Sequence, residues 1–145
     1  MTLQRMDHVG IVVDDLAAAT EFFAEIGLEP QGDGSVEGSW VERIVGLDGV
    51  RVDFAMLQTP DGNGRLELIK FHSPPLQDGD GHAPANTSGL RHLAFVVDDI
   101  EAVVAGLQAH GGEIVGELVQ YENVYRLCYV RGPEGIIIEL AEQIG

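Results

Sequence analysis

The sequence predicts an α+β protein built from two βαβββ modules in tandem. The first observation is an internal repeat: HVGIVVDDL, which begins at His8, recurs without a gap as HLAFVVDDI, which begins at His92. The second is that each copy alternates like a strand and precedes a segment with helical periodicity. The third is that both halves end in a turn and a strand carrying Glu-Leu, PDGNGRLELI from Pro60 and PEGIIIELA from Pro133. Together they predict the order β-α-β-β-β, twice.

Each predicted helix has an apolar face and a signal at both ends. Asp15 and Asp99 precede the helices and can cap their free N–H groups, while Gly27 and Gly111 follow them and suit a left-handed C-cap. The spacing predicts these buried residues: Leu16, Ala19, Phe23 and Ile26 in the first helix, and Ile100, Val103, Val104 and Leu107 in the second.

A polar segment separates the two modules. HSPPLQDGDGHAPANTSG, residues 72–89, is rich in Pro, Gly and small polar residues and is typical of a linker. The modules therefore span residues 1–71 and 90–145, and we expect them to form one structural domain overall. His72 and His82 fall in the linker and are expected to face solvent.

Composition limits the class of protein. The 145 residues with 45% hydrophobic content can fill a core, and 24 acidic against 8 basic residues give a net charge of −16, which argues against nucleic acid as a partner. The opening MTLQRMDH lacks a signal-peptide core, and no apolar run approaches the roughly 20 residues of a membrane span. We expect a cytoplasmic protein with no membrane partner. The single cysteine, Cys128, lies in an alternating segment and is expected to be a small buried side chain.

Two histidines stand at the head of otherwise apolar strands. Because strand side chains alternate, His8 shares a face with Gly10, and His92 shares one with Ala94. The bulkier residues of each strand take the other face and are expected to pack on the helix. The small residue beside each histidine leaves room above the sheet.

One glutamate interrupts the last predicted strand of each half. Glu139 lies in IIIELA, which is apolar on both faces, and an unpartnered charge buried there would cost several kcal/mol. Glu67 lies in RLELIKF, with Arg65 on its own face as an ion-pair partner. A single histidine or glutamate of this kind would be interpreted as structural. The duplication of both favours a metal site, and with pseudo-twofold packing all four side chains would converge.

These segments resemble the vicinal oxygen chelate superfamily of glyoxalase I, methylmalonyl-CoA epimerase, fosfomycin and bleomycin resistance proteins and extradiol dioxygenases. The resemblance spans Met6 to Glu142 and is carried by DHVGIVVDDLAAATEFF, RLEL, LRHLAFVVDDIEAV and GPEGIIIEL. It implies a half-open barrel around one metal ion. It also implies a glyoxalase-like ligand set, namely His8, Glu67, His92 and Glu139.

The resemblance implies a metal-dependent lyase or isomerase. Two adjacent oxygens of a small carbonyl substrate would chelate zinc, nickel, cobalt, manganese or iron, and a proton would move through an enediolate. Glu139 is the expected base and Glu67 its symmetry mate. The alternatives are a metal-free binding protein of the bleomycin-resistance type, which sequesters a drug or natural product, and an extradiol-type dioxygenase.

Other side chains are candidates for contact with a small-molecule substrate. They are Tyr121, Tyr125, Trp40 and Arg43, of which the last two fall in a part of the first half with no clear periodicity. The few basic residues disfavour a highly anionic ligand such as a CoA ester. A homodimer is the expected assembly, with modules paired within or between chains.

Overall fold

The computed structural model describes residues 2–145 and divides into two compact units, one ending at Asp78 and the other beginning at Gly79. The elements of the first unit are β1 (Val9–Val12), α1 (Leu16–Ile26), β2 (Glu29–Glu37), α2 (Ser39–Val45), β3 (Arg51–Gln58) and β4 (Arg65–Ser73). Those of the second are β5 (His92–Val96), α3 (Ile100–Ala109), β6 (Glu113–Ile114), β7 (Val119–Tyr121), β8 (Tyr125–Arg131), a 3-10 turn at Pro133–Gly135 and β9 (Ile137–Gln143). The predicted α+β class is confirmed. No helix within residues 2–145 is long and apolar enough to cross a membrane.

Each unit has one open sheet in which the first and last strands are neighbours. The strand orders are β1-β4-β3-β2 and β5-β9-β8-β6, with β7 added beside β8, and neither sheet closes into a barrel. The β1–β4 and β5–β9 pairs are parallel and the other pairs are antiparallel. This register sets Gly10 beside Glu67 and Ala94 beside Glu139. Each glutamate therefore has a very small neighbour two positions beyond its histidine.

Both predicted N-caps are confirmed, whereas the C-cap of α3 is His110, with Gly111 following it at φ 87°. Asp15 accepts a hydrogen bond from the Ala18 N–H at 3.0 Å, and Asp99 accepts one from the Ala102 N–H at 3.1 Å. Gly27 ends α1 at φ 125°, a backbone conformation that favours glycine. The buried faces differ in part from the prediction: the buried residues are Ala19, Phe22 and Phe23 in α1, and Ile100, Val104 and Leu107 in α3. Phe22 was not among the predicted core residues.

Helix α2 was not predicted. Trp40 and Arg43 lie in this helix rather than in irregular chain. Gly38 and Gly46 bound it, and its one buried residue, Val41, anchors it to the sheet. Val41 packs with other apolar residues of the first unit, namely Val36, Val50, Val52, Ile69 and Phe71. The helix is held by this contact rather than by helical propensity, since seven residues form a marginal helix alone.

The structure places His72 on β4 rather than in a linker, although the residue is exposed, as expected. Its Nε2 atom lies 2.7 Å from one carboxylate oxygen of Asp53, and the other oxygen accepts the Ser35 hydroxyl at 2.5 Å. Both contacts hold the pKa of Asp53 below its ordinary value, the Ser35 hydrogen bond most strongly. Three adjacent strands are thus joined through one carboxylate.

The start of the second unit, residues 79–91, is held to β8 by the side chain of Arg131. The Arg131 guanidinium donates to the carbonyls of Ala83 at 2.9 Å, Gly135 at 3.2 Å and Gly81 at 3.4 Å. Ala83 is buried, whereas His82 beside it is exposed, as expected. The polar composition of this segment therefore does not make it a free linker.

Candidate metal centre

The first unit pairs the histidine and glutamate predicted as metal ligands. His8 precedes β1 directly, and Glu67 extends from the neighbouring strand β4. The His8 Nε2 atom lies 3.6 Å from a Glu67 carboxylate oxygen, and the side chains are 35% and 27% exposed. A β-carbon added to Gly10 would meet only the Ile69 side chain, at 3.6 Å. The space predicted above the sheet is therefore present.

The second unit repeats the arrangement. His92 begins β5 and Glu139 extends from the neighbouring strand β9. The His92 Nε2 atom lies 3.2 Å from a Glu139 carboxylate oxygen, and the side chains are 35% and 26% exposed. Glu139 is therefore only partly buried, although Ile138 and Leu140 on either side of it are fully buried. The expectation that its charge is enclosed by apolar side chains is wrong, because its face of β9 is reached by solvent.

Asp7 contacts the histidine of the first pair, and it was not identified from the sequence as part of the site. One Asp7 carboxylate oxygen lies 2.8 Å from His8 Nδ1, and the other lies 2.5 Å from an Arg65 guanidinium nitrogen and 3.5 Å from Arg5. Arg65 therefore pairs with Asp7 rather than with Glu67, its expected partner. The hydrogen bond to His8 and the charge of Arg65 hold the pKa of Asp7 below its ordinary value. Asp7 stays ionised at neutral pH.

The second pair has a different neighbour. The Tyr129 ring packs against His92 with centroids 4.8 Å apart and planes tilted by 38°. Tyr129 lies directly opposite Glu139 across the β8–β9 pair. The corresponding residue opposite Glu67 is Met56. Once the strand pairing is known, the alternation of side chains along a strand places Tyr129 on the same face as Glu139.

The predicted substrate-contact residues occupy different elements. Tyr121 on β7 is 58% exposed and lies opposite the half-buried Tyr125 on β8. Trp40 is 58% exposed on α2, and Arg43 is exposed on the same helix. Their role in binding stays a prediction.

Within each unit the metal donors occur as a pair. No third His, Cys, Asp or Glu in the described part of either unit joins its pair to complete a metal-binding group. The convergence of the four residues stays a prediction.

Cys128 is 4% exposed, and burial, followed by the charge of Glu139, raises the pKa of its thiol. Its prediction as a small buried residue is confirmed.

Known proteins match the chain along its whole length. The model of the Glyoxalase/Bleomycin resistance protein/Dioxygenase superfamily matches residues 7–143. The Escherichia coli protein YaeR is 31% identical over 144 residues, covering 97% of this chain and 98% of its own. A crystal structure of a glyoxalase family protein from Bacillus cereus has 50% identity and a TM-score of 0.96, covering 100% of this chain and 97% of its own. A glyoxalase/dioxygenase from Nostoc punctiforme has 25% identity and a TM-score of 0.67, covering 98% of this chain and 92% of its own. The chain belongs to the Glyoxalase/Bleomycin resistance protein/Dioxygenase superfamily.

Proposed function

We propose that this protein is a metal-dependent lyase or isomerase of glyoxalase-like chemistry. One divalent ion, which could be zinc, nickel, cobalt, manganese or iron, would be held by His8, Glu67, His92 and Glu139. One observation carries the proposal. Each unit brings a histidine and a glutamate together on its first and last strands, at matching positions of the register, with Nε2 to carboxylate distances of 3.6 and 3.2 Å.

The distances within the two pairs suit donors that share an ion. Two donor atoms each about 2.1 Å from one ion lie about 3.0–3.4 Å apart at angles from right-angled to tetrahedral. The 3.2 Å pair lies within this range, and the 3.6 Å pair needs only a small inward movement of side chains that are partly exposed. Imidazole nitrogen and carboxylate oxygen are ordinary ligands for these metals. The residues present therefore fit the ion that the family's enzymes use.

The bound ion would polarise two neighbouring substrate oxygens and make the hydrogen on the carbon beside them acidic. Glu139 then removes that proton and returns it to the adjacent carbon. We assign the base to Glu139 because the polar Tyr129 faces it, whereas Glu67 faces the side chain of Met56. Both glutamates keep about a quarter of their side-chain surface exposed, which leaves them room to move.

The substrate proposed is a small carbonyl compound or its thiol adduct. With 24 acidic and 8 basic residues, the chain would repel a highly anionic ligand before contact. The side chains proposed to line the substrate pocket are Tyr121, Tyr125, Trp40 and Arg43. The protein is further proposed to act as a cytoplasmic homodimer.

Metal content tests the proposal directly. The metal content of wild-type protein purified without chelator is measured by inductively coupled plasma mass spectrometry and compared with that of the His8→Ala and His92→Ala variants. We expect one ion per chain in the wild type and loss of the ion in either variant. Two ions per chain would contradict a shared site. Absence of metal, with ligand affinity unchanged in both variants, would contradict the enzyme and favour a sequestration protein.

Proton transfer is tested by deuterium incorporation from solvent into a 2-oxoaldehyde mixed with a small thiol. Glu139→Gln should reduce incorporation by about 10²–10⁴-fold, and Glu67→Gln, the matched control, should reduce it less. The reverse order would assign the base to Glu67. Turnover that depends on dioxygen and ferrous iron, without this exchange, would favour a dioxygenase instead.

A further inference from the structure

The two histidines have different supports although their strands are repeats. Asp7 and Arg65 flank His8, and in the second repeat the position of Asp7 is taken by Arg91. The strand partner of His92 is Ile137, which stands where the first unit has Arg65. The second unit therefore lacks the carboxylate and the arginine that accompany the first histidine.

The contact between Asp7 and His8 fixes which ring nitrogen carries the proton. An ionised carboxylate can only accept hydrogen bonds, so at the 2.8 Å contact the Nδ1 atom of His8 must donate. In the neutral ring Nε2 is then unprotonated, and Nε2 is the atom that lies 3.6 Å from Glu67. This is the nitrogen with which His8 would bind a metal ion.

Arg65 holds the Asp7 carboxylate in the position that this contact requires. Its guanidinium binds the Asp7 side chain at 2.5 Å and the Asp7 main-chain carbonyl at 3.3 Å. Arg65 lies two residues before Glu67 on the same strand, so one stretch of β4 supplies both the glutamate and the support for the histidine. For His92, the Tyr129 ring packs against the imidazole without a hydrogen bond to either ring nitrogen. Within residues 2–145 no carboxylate contacts its Nδ1 atom as Asp7 does in the first unit, and the carboxylate of Glu139 lies 3.2 Å from Nε2 instead.

We propose that Asp7, anchored by Arg65, is a positioning residue that holds His8 in its Nδ1–H tautomer and makes it the stronger metal-binding histidine of the two. The part that concerns metal rests on the function proposed above. The part that concerns the tautomer stands on the geometry of the first unit alone. The two parts can therefore fail separately.

The tautomer is measured in metal-free protein by long-range ¹H–¹⁵N spectroscopy at a pH where the imidazoles are neutral. We expect His8 to be Nδ1–H and His92 to favour the Nε2–H form usual for a free imidazole. In Asp7→Ala, His8 should move to the pattern of His92, whereas Asp7→Asn keeps an acceptor and should keep the tautomer in part. Glu25→Gln, which removes one charge from the exposed side of α1, is the control and should change neither. An Nε2–H ring at His8 in the wild type, or an unchanged ring in Asp7→Ala, would overturn the inference.

Metal affinity is measured by calorimetry with Zn²⁺ and with Ni²⁺. Loss of a carboxylate that orients a ligating histidine typically weakens metal binding about 10–100-fold, and we expect this loss in Asp7→Ala but not in Glu25→Gln. Equal affinity in Asp7→Ala and wild type would overturn the metal part. If the wild type binds neither ion while the tautomers are as expected, the proposed function has failed and the metal part falls with it.

Discussion

Arg131 provides a quantitative test of how the segment before β5 is held. Its guanidinium donates to Ala83, Gly135 and Gly81, the last at a weak 3.4 Å. A hydrogen bond from a charged donor contributes about 1.5–3 kcal/mol, so the two shorter bonds at the lower end of that range amount to about 3 kcal/mol. We expect Arg131→Ala to lower the free energy of unfolding by about that amount.

The measurement is urea unfolding followed by far-ultraviolet circular dichroism, together with thermolysin cleavage of residues 79–89. Cleavage should accelerate in Arg131→Ala, and Arg131→Lys should recover only part of the loss, since an ammonium group cannot span several carbonyls as the planar guanidinium does. The control is Arg126→Ala on the same strand. Arg126 forms a 2.7 Å ion pair with the exposed Glu101, and its removal should cost clearly less than the removal of Arg131. Equal losses for the two alanine variants, with cleavage unchanged, would refute the reasoning.

Three further predictions concern the fold. The pKa of Asp53 is lowered by Ser35 and His72, so its ionised form stabilises the protein above about pH 4 and loses that effect as pH falls through the lowered pKa. Asp53→Asn should therefore be less stable than wild type in urea at pH 7 and match it in strong acid; a constant difference would count against this. Phe23→Ala should cost about 3–5 kcal/mol in the same assay, because Phe23 is fully buried. Gly135→Ala should cost at least about 1–3 kcal/mol more than Gly46→Ala. Both glycines have positive φ, but of the two only Gly135 would bring the new β-carbon against backbone, the Gly81 carbonyl. Similar losses for the two variants would be the contrary result.

The internal repeat made much of the fold predictable. The two copies of the first strand, the capping aspartates and the Glu-Leu strands depend on local patterns, which a single sequence displays. The repeat also indicated one histidine on the first strand and one glutamate on the last strand of each module as candidate ligands. The structure gives the pairs at 3.6 and 3.2 Å.

The features that sequence did not predict depend on contacts between distant residues. Asp7 meets Arg65 across 58 positions, and only the register of β1 against β4 brings them together. The prolines that follow His72 predict a linker. The residue instead lies on β4, where it contacts Asp53 of the neighbouring strand β3. Helix α2 is short and is held by Val41 packing on the sheet, so its helical pattern spans too few turns to recognise.

The parallel pairing of first and last strands sets the order in which the chain can acquire its paired donors. His8 precedes Glu67 by nearly sixty residues, and the pair exists only when β4 has docked beside β1. At a synthesis rate of roughly 5–20 residues per second, the histidine leaves the ribosome about 3–12 s before its partner. A nascent or truncated chain that ends before β4 therefore carries a lone imidazole. A histidine and a glutamate held side by side would therefore mark a first module whose synthesis has passed β4.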